Sequence, residues 1–164
     1  MNNFIIILFC AAFAFLVGSF STPKYSSSEL DPNPFALKID TFYYHYVSGG
    51  RIGPSGPTYV FKSSSYKSIF IVPMDAYYSF DKDLFEKTVK KGDTINIIIR
   101  KNFKDTENQR VNSFEISKEN IFFLKKEAAL SAFSYARNVL FYTGLACLLI
   151  ALSILGIRKY RNPY

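Results

Sequence analysis

The only histidine in the chain, His45, stands between Tyr44 and Tyr46 in the run TFYYHYV. An imidazole can act as a general base or a metal ligand, but either role needs further groups: a proton-exchanging partner for catalysis, or more ligands for a metal. There is no second histidine, and both cysteines, Cys10 and Cys147, lie in uncharged apolar stretches toward the two ends of the chain. His45 therefore reads as a structural strand residue. Neither a His/Cys metal site nor a disulfide framework is expected in the middle of the chain.

Other chemistry-bearing groupings resolve in the same direction. Gly53-Pro54-Ser55-Gly56 lacks the Gly-x-Ser-x-Gly spacing of a nucleophile elbow. Gly49-Gly50 is not followed by the Gly-Lys-Ser or Gly-Lys-Thr of a phosphate-binding loop. Asp75, Asp81, Asp83 and Glu86 are close in sequence, yet their spacing fits no EF-hand loop and Lys82 and Lys87 are interleaved, so they read as a solvated face. No catalytic residue, metal ligand or cofactor is assigned.

Tyrosine is the richer signal. Tyr43, Tyr44, Tyr46, Tyr59, Tyr66, Tyr77 and Tyr78 gather in one third of the sequence, and tyrosine presents a large amphipathic surface at low entropy cost. They read either as half-buried sheet residues or as an aromatic platform for a sugar, peptide or protein. The candidate binding residues are Tyr44, Tyr46 and Tyr59, with Arg51 from the adjoining loop. That loop, Ser48 to Pro57, holds four Gly and two Pro in ten residues, which favours irregular backbone.

The elements that must position these side chains read as β structure. Ala36 to Val47 is expected as one long strand with Phe42, Tyr44 and Tyr46 on one face. Thr58 to Lys62 and Ser68 to Val72 follow as a strand pair, giving the look of a meander. Phe80 to Lys90 has helical spacing, with Asp81 and Asp83 suited to its first turn. Lys91-Gly92-Asp93 turns the chain into the isoleucine-rich strand Thr94 to Arg100. Val111 to Ile116 and Asn120 to Leu124 supply two more strands. The fold class expected is mainly β, a small antiparallel β-barrel or sandwich occupying residues 35–124.

The flanks decide the setting. Phe4 to Phe20 carries no charge, and residues 1–21 read as a transmembrane anchor or as a signal peptide cleaved after Ser21. Residues 22–34, rich in Ser and Pro, read as a linker. Residues 125–157 read as a helix running into a second span, Val139 to Ile157, which is nineteen residues without a charge. Residues 158–164 form a basic tail. With Arg158, Lys159 and Arg161 held inside, the middle domain falls outside the cytoplasm. Two small-residue stripes, Cys10, Ala14 and Gly18 on the first helix and Gly144, Cys147 and Ala151 on the second, suit close packing between spans or self-association.

The formal charge is +7; removing the three tail cations leaves 17 Lys and Arg against 13 Asp and Glu, a modest +4. Nucleic acid is not expected as a partner at that density. The leading expectation is a non-enzymatic integral membrane protein, an accessory whose partners are the lipid bilayer, another membrane or envelope protein, or a second copy of itself. A membrane-tethered module for a small ligand or glycan is the alternative.

Overall fold

The structure, a computed structural model, describes residues 2–22, 24–48 and 55–161. The chain divides into two units: Tyr25–Phe133, and Met1–Lys24 together with Ser134–Tyr164. Among the described residues the first is built from eight strands: β1 (Phe35–Lys38), β2 (Thr41–Val47), β3 (Gly56–Lys62), β4 (Ile69–Val72), β5 (Thr94–Ile98), β6 (Arg110–Asn112), β7 (Glu115–Lys118) and β8 (Ile121–Leu124). They form two four-stranded sheets, ordered β1-β5-β7-β8 and β2-β3-β4-β6. The sheets do not close into a barrel, and β6 runs parallel to β4, so neither a barrel nor a simple meander describes the unit.

Two corners explain why long apolar runs do not become long strands. At the first, the Ile39 N–H donates to Asp93 in one sheet, while the next N–H, from Asp40, donates to Lys62 in the other, at 2.8 and 2.9 Å. The expected strand Ala36 to Val47 is therefore two strands in different sheets. At the second, the Ser113 N–H donates to Ile71 and the Phe114 N–H to Ile98, both at 2.8 Å, splitting the expected strand Val111 to Ile116 into β6 and β7. Strands that switch sheets in this way build the corners of a two-layer packing.

The core is unusually aromatic, and the short helix α2 (Lys82–Thr88) supplies its centre. Asp81 caps that helix by accepting the Leu84 N–H at 3.0 Å, Asp83 sits in the first turn and Lys87 in the last, as the helix dipole favours. Its buried residue, Phe85, meets the rings of Phe42, Tyr59, Phe61, Phe80 and Phe123 at centroid distances of 5.1 to 5.8 Å. Such pairs add roughly 0.5–1.5 kcal/mol each beyond burial. A 3-10 turn over Met74–Ser79, which the sequence pattern did not indicate, follows Pro73, whose ring presets the backbone for it. Gly92 adopts the left-handed φ of 93° that the turn into β5 requires.

Residues expected as linker also join the core. Leu30 is buried and bridges to Arg100, and Tyr25 packs edge-on against Phe114 and Phe133. The expected loop ends earlier than its composition indicates, because Gly56 and Pro57 already pair with Val47 and Tyr46 in β3.

The other unit contains α1 (Asn2–Ser21) and most of α3, an unbroken helix over Lys126–Arg161. Together these helices hold more residues than all the strands, so the chain is only partly a β protein. Both are long and apolar enough to cross a membrane. Large side chains such as Phe4, Ile7, Phe13, Phe20, Leu149, Ile150 and Ile157 are exposed along them.

Candidate functional site

The helices α1 and α3 pack against each other where Gly144 meets Ala12 and Leu16. On α3, of the stripe named from sequence, Gly144 and Ala151 are buried and Cys147 is half-buried. On α1 the packed seam is different. Ile5, Ala12 and Ser19 are buried, recurring every seventh residue, whereas Cys10 and Ala14 are exposed and Gly18 is only half-buried. A seven-residue repeat is the period of helices that pack along their length, which the four-residue spacing of Cys10, Ala14 and Gly18 does not follow. Among the described glycines the tightest is Gly144: a β-carbon there would lie 3.1 Å from the Ala12 carbonyl oxygen.

The tyrosines separate into two populations. Tyr44 and Tyr46 are 47% and 56% exposed on β2, which is an edge strand: among the described residues no strand pairs with its outer side. Tyr59, directly opposite Tyr44 on β3, is 1% exposed and belongs to the core, not to a platform. Its hydroxyl donates to Glu86 Oε1 at 2.8 Å. Burial first, then this bond to a carboxylate, pushes its pKa well above the usual tyrosine value. Arg51 lies outside the described residues, so the grouping of Tyr44, Tyr46, Tyr59 and Arg51 reduces to Tyr44 and Tyr46.

Two other tyrosines of the expected platform, Tyr77 and Tyr78, join Tyr44. Tyr77, from the 3-10 turn, meets Tyr44 edge-on at 6.0 Å and Tyr78 at 5.7 Å, and Tyr78 is 85% exposed. The Lys82 ammonium lies 5.9 Å from the Tyr44 ring centre and 3.7 Å from Glu86. The result is an aromatic patch with a cation over one ring, open to solvent on an unpaired strand edge. His45 is exposed on the same strand, opposite Thr58, and makes no side-chain hydrogen bond among the described residues. No cluster of three or more His, Cys, Asp or Glu suited to a metal occurs among the described residues.

A second feature had no sequence motif. The segment between β5 and β6 borders a cleft of about 440 Å³ whose charged lining residues are Arg100, Lys101, Lys104 and Arg110. Tyr25 forms part of its wall, with the Arg100 guanidinium 5.7 Å from its ring centre and Asn112 Nδ2 donating to its hydroxyl at 3.3 Å. The segment is pinned from both sides. Phe103 packs on Phe35 and Phe70, and the Asp105 carboxylate accepts the Lys67 and Ser68 N–H groups at 3.0 and 2.8 Å. Those bonds, the Lys67 amide foremost, hold the Asp105 carboxyl below the usual range. Asn102 and Asn108 take the left-handed conformation that asparagine tolerates better than most residues, with φ of 63° and 58°. These cations are spread over eleven residues of an irregular segment, which is why no spacing pattern revealed them.

Comparison with protein-family models, with curated proteins and with solved structures returned no match.

Proposed function

We propose that this chain is a non-enzymatic, membrane-anchored accessory protein whose β unit, outside the cytoplasm, binds another membrane or envelope protein through β2 and its tyrosines. The observation that carries the reading is the open edge of β2, with Tyr44, Tyr46 and Tyr78 exposed beside it. An unpaired strand edge offers backbone donors and acceptors to an incoming chain, and exposed tyrosines add contact area at small entropy cost. The apolar outer sides of α1 and α3 support placement in a bilayer, and the basic residues Arg158, Lys159 and Arg161 at the C-terminal end of α3 support a cytoplasmic C-terminus.

A second reading, a membrane-tethered module for a glycan or other small ligand, draws on the Tyr44, Tyr77, Tyr78 and Lys82 grouping, since exposed aromatic faces beside a cation suit a sugar. In-cell photo-crosslinking from Tyr46 and Tyr78, with Lys91 as a remote control, separates the two. One reproducible protein adduct from the first two positions supports the accessory role. Adducts to carbohydrate support the module, and none from either position contradicts both.

A further inference from the structure

We infer that the cleft lined by Arg100, Lys101, Lys104 and Arg110 is a binding site for a phosphate-bearing anion, carried either by a lipid headgroup or by a free phosphate compound. All four charged residues lining it are cations, and its volume of about 440 Å³ lies within the range of small-ligand sites. Four like charges around one concavity repel one another unless an anion sits among them, so the arrangement costs stability when empty and gains when filled.

Internal partners neutralise only part of that charge. The Arg100 guanidinium lies 3.5 Å from Glu29, in a pair about half exposed and therefore weak. The Lys101 ammonium donates to the Ser28 carbonyl at 2.6 Å, which orients it without cancelling its charge. Lys104 and Arg110 make no salt bridge among the described residues. The neighbouring carboxylate of Asp105 is occupied by the Lys67 and Ser68 amides.

The cleft is also preorganised, which lowers the entropy cost of binding. Phe103 and Asp105 fix the backbone on either side of Lys104, and Thr106 exchanges two hydrogen bonds with the Ser68 hydroxyl, each 3.2 Å. Backbone bonds from Asp31 to Ile99 and from Lys101 to Glu29, both 2.9 Å, strap the wall segment to the start of the loop. Guanidinium groups suit phosphate by forked hydrogen bonding, while lysine contributes point charge. Tyr25 follows the end of α1 by four residues in sequence, so a headgroup and a soluble phosphate are both sources to be tested. The inference uses none of the tyrosines of β2 and stands independently of the accessory role.

The test uses the full chain in mild detergent, with inorganic phosphate titrated by calorimetry and retention of phosphatidylglycerol against phosphatidylcholine read by native mass spectrometry. Saturable phosphate binding that weakens about tenfold or more in Lys104→Gln/Arg110→Gln identifies a free-phosphate site. Selective phosphatidylglycerol retention that the same variant loses identifies a headgroup site. Binding of neither probe, or equal weakening in the remote variant Lys87→Gln/Lys91→Gln, overturns the inference. The unmodified chain gives a check that depends on no variant: saturating amounts of whichever probe binds must slow phenylglyoxal modification of Arg100 and Arg110, and unchanged rates overturn it.

Discussion

Gly144 on α3 and Leu16 on α1 approach so closely that a β-carbon on the glycine would lie 2.9 Å from Leu16 Cγ and 3.1 Å from the Leu16 backbone nitrogen. A real side chain there must push the helices apart, since one of the obstacles is backbone. Gly144→Leu is expected to destabilise the packed pair by about 1–3 kcal/mol, and Gly144→Ala by less. Gly156, with nothing within 4 Å of its added β-carbon, should accept alanine without loss. Thermal melting of the three variants in mild detergent checks the ordering; equal melting points for all would remove Gly144 as the packing point.

Phe85 carries the aromatic core of the β unit from a helix of only seven residues. Phe85→Ala is expected to cost about 3–5 kcal/mol, enough to unfold a marginal domain. Urea unfolding followed by near-ultraviolet circular dichroism reads this directly.

Tyr59 and Glu86 form the 2.8 Å bond that satisfies a buried hydroxyl. Tyr59→Phe should cost roughly 1–2 kcal/mol, because it removes a bond to a carboxylate while leaving the ring in place. Tyr44→Ala with Tyr78→Ala, on exposed positions, should change stability by about 0.5 kcal/mol or less per site. Urea midpoints for the two sets should differ accordingly, and partner adducts should be lost only in the second set.

Acid stability should show two opposing arms. The carboxyl of Asp93 is held below 3.8, first by the Lys118 ammonium at 2.7 Å and then by the Lys90 amide. Asp40, bonded by Ser64, and Asp105 are lowered as well. Below 3.8 the unfolded chain takes up these protons first, so stability is lost as pH falls through the folded values. Glu115 runs the other way: burial raises its pKa above 4.5, the folded state takes up its proton first, and acidification toward that range adds stability. Urea midpoints measured from about pH 7 to about pH 2 should rise slightly and then fall. Asp93→Asn should shallow the fall, and Glu115→Gln should reduce the rise, to which Asp75, also raised by burial, contributes in the same direction.

Much of the element pattern was legible because it is local. The period of Thr94 to Ile98, the acidic cap of α2 and the uncharged lengths of α1 and α3 each leave a mark within a few residues. The corners at Ile39-Asp40 and Ser113-Phe114 leave none, since switching sheets depends on where the Lys62, Asp93, Ile71 and Ile98 carbonyls lie in space. The same limit hid the site. Tyr59 and Tyr44 look alike in sequence, and only the pairing of β2 with β3 under α2 makes one core and the other surface. On α1, of the small residues at four-residue spacing only Gly18 lies against α3, near Leu140, while the buried positions Ile5, Ala12 and Ser19 follow a seven-residue repeat.

The central claim is that α1 and α3 anchor the chain in a membrane with the β unit outside. Single cysteines at Ser65 and Asn162, placed in a Cys10→Ser/Cys147→Ala background and exposed to an impermeant maleimide in intact cells, test it most directly. The account predicts labelling at position 65 in intact cells and at position 162 only after permeabilisation. Labelling at position 162 alone in intact cells would contradict it.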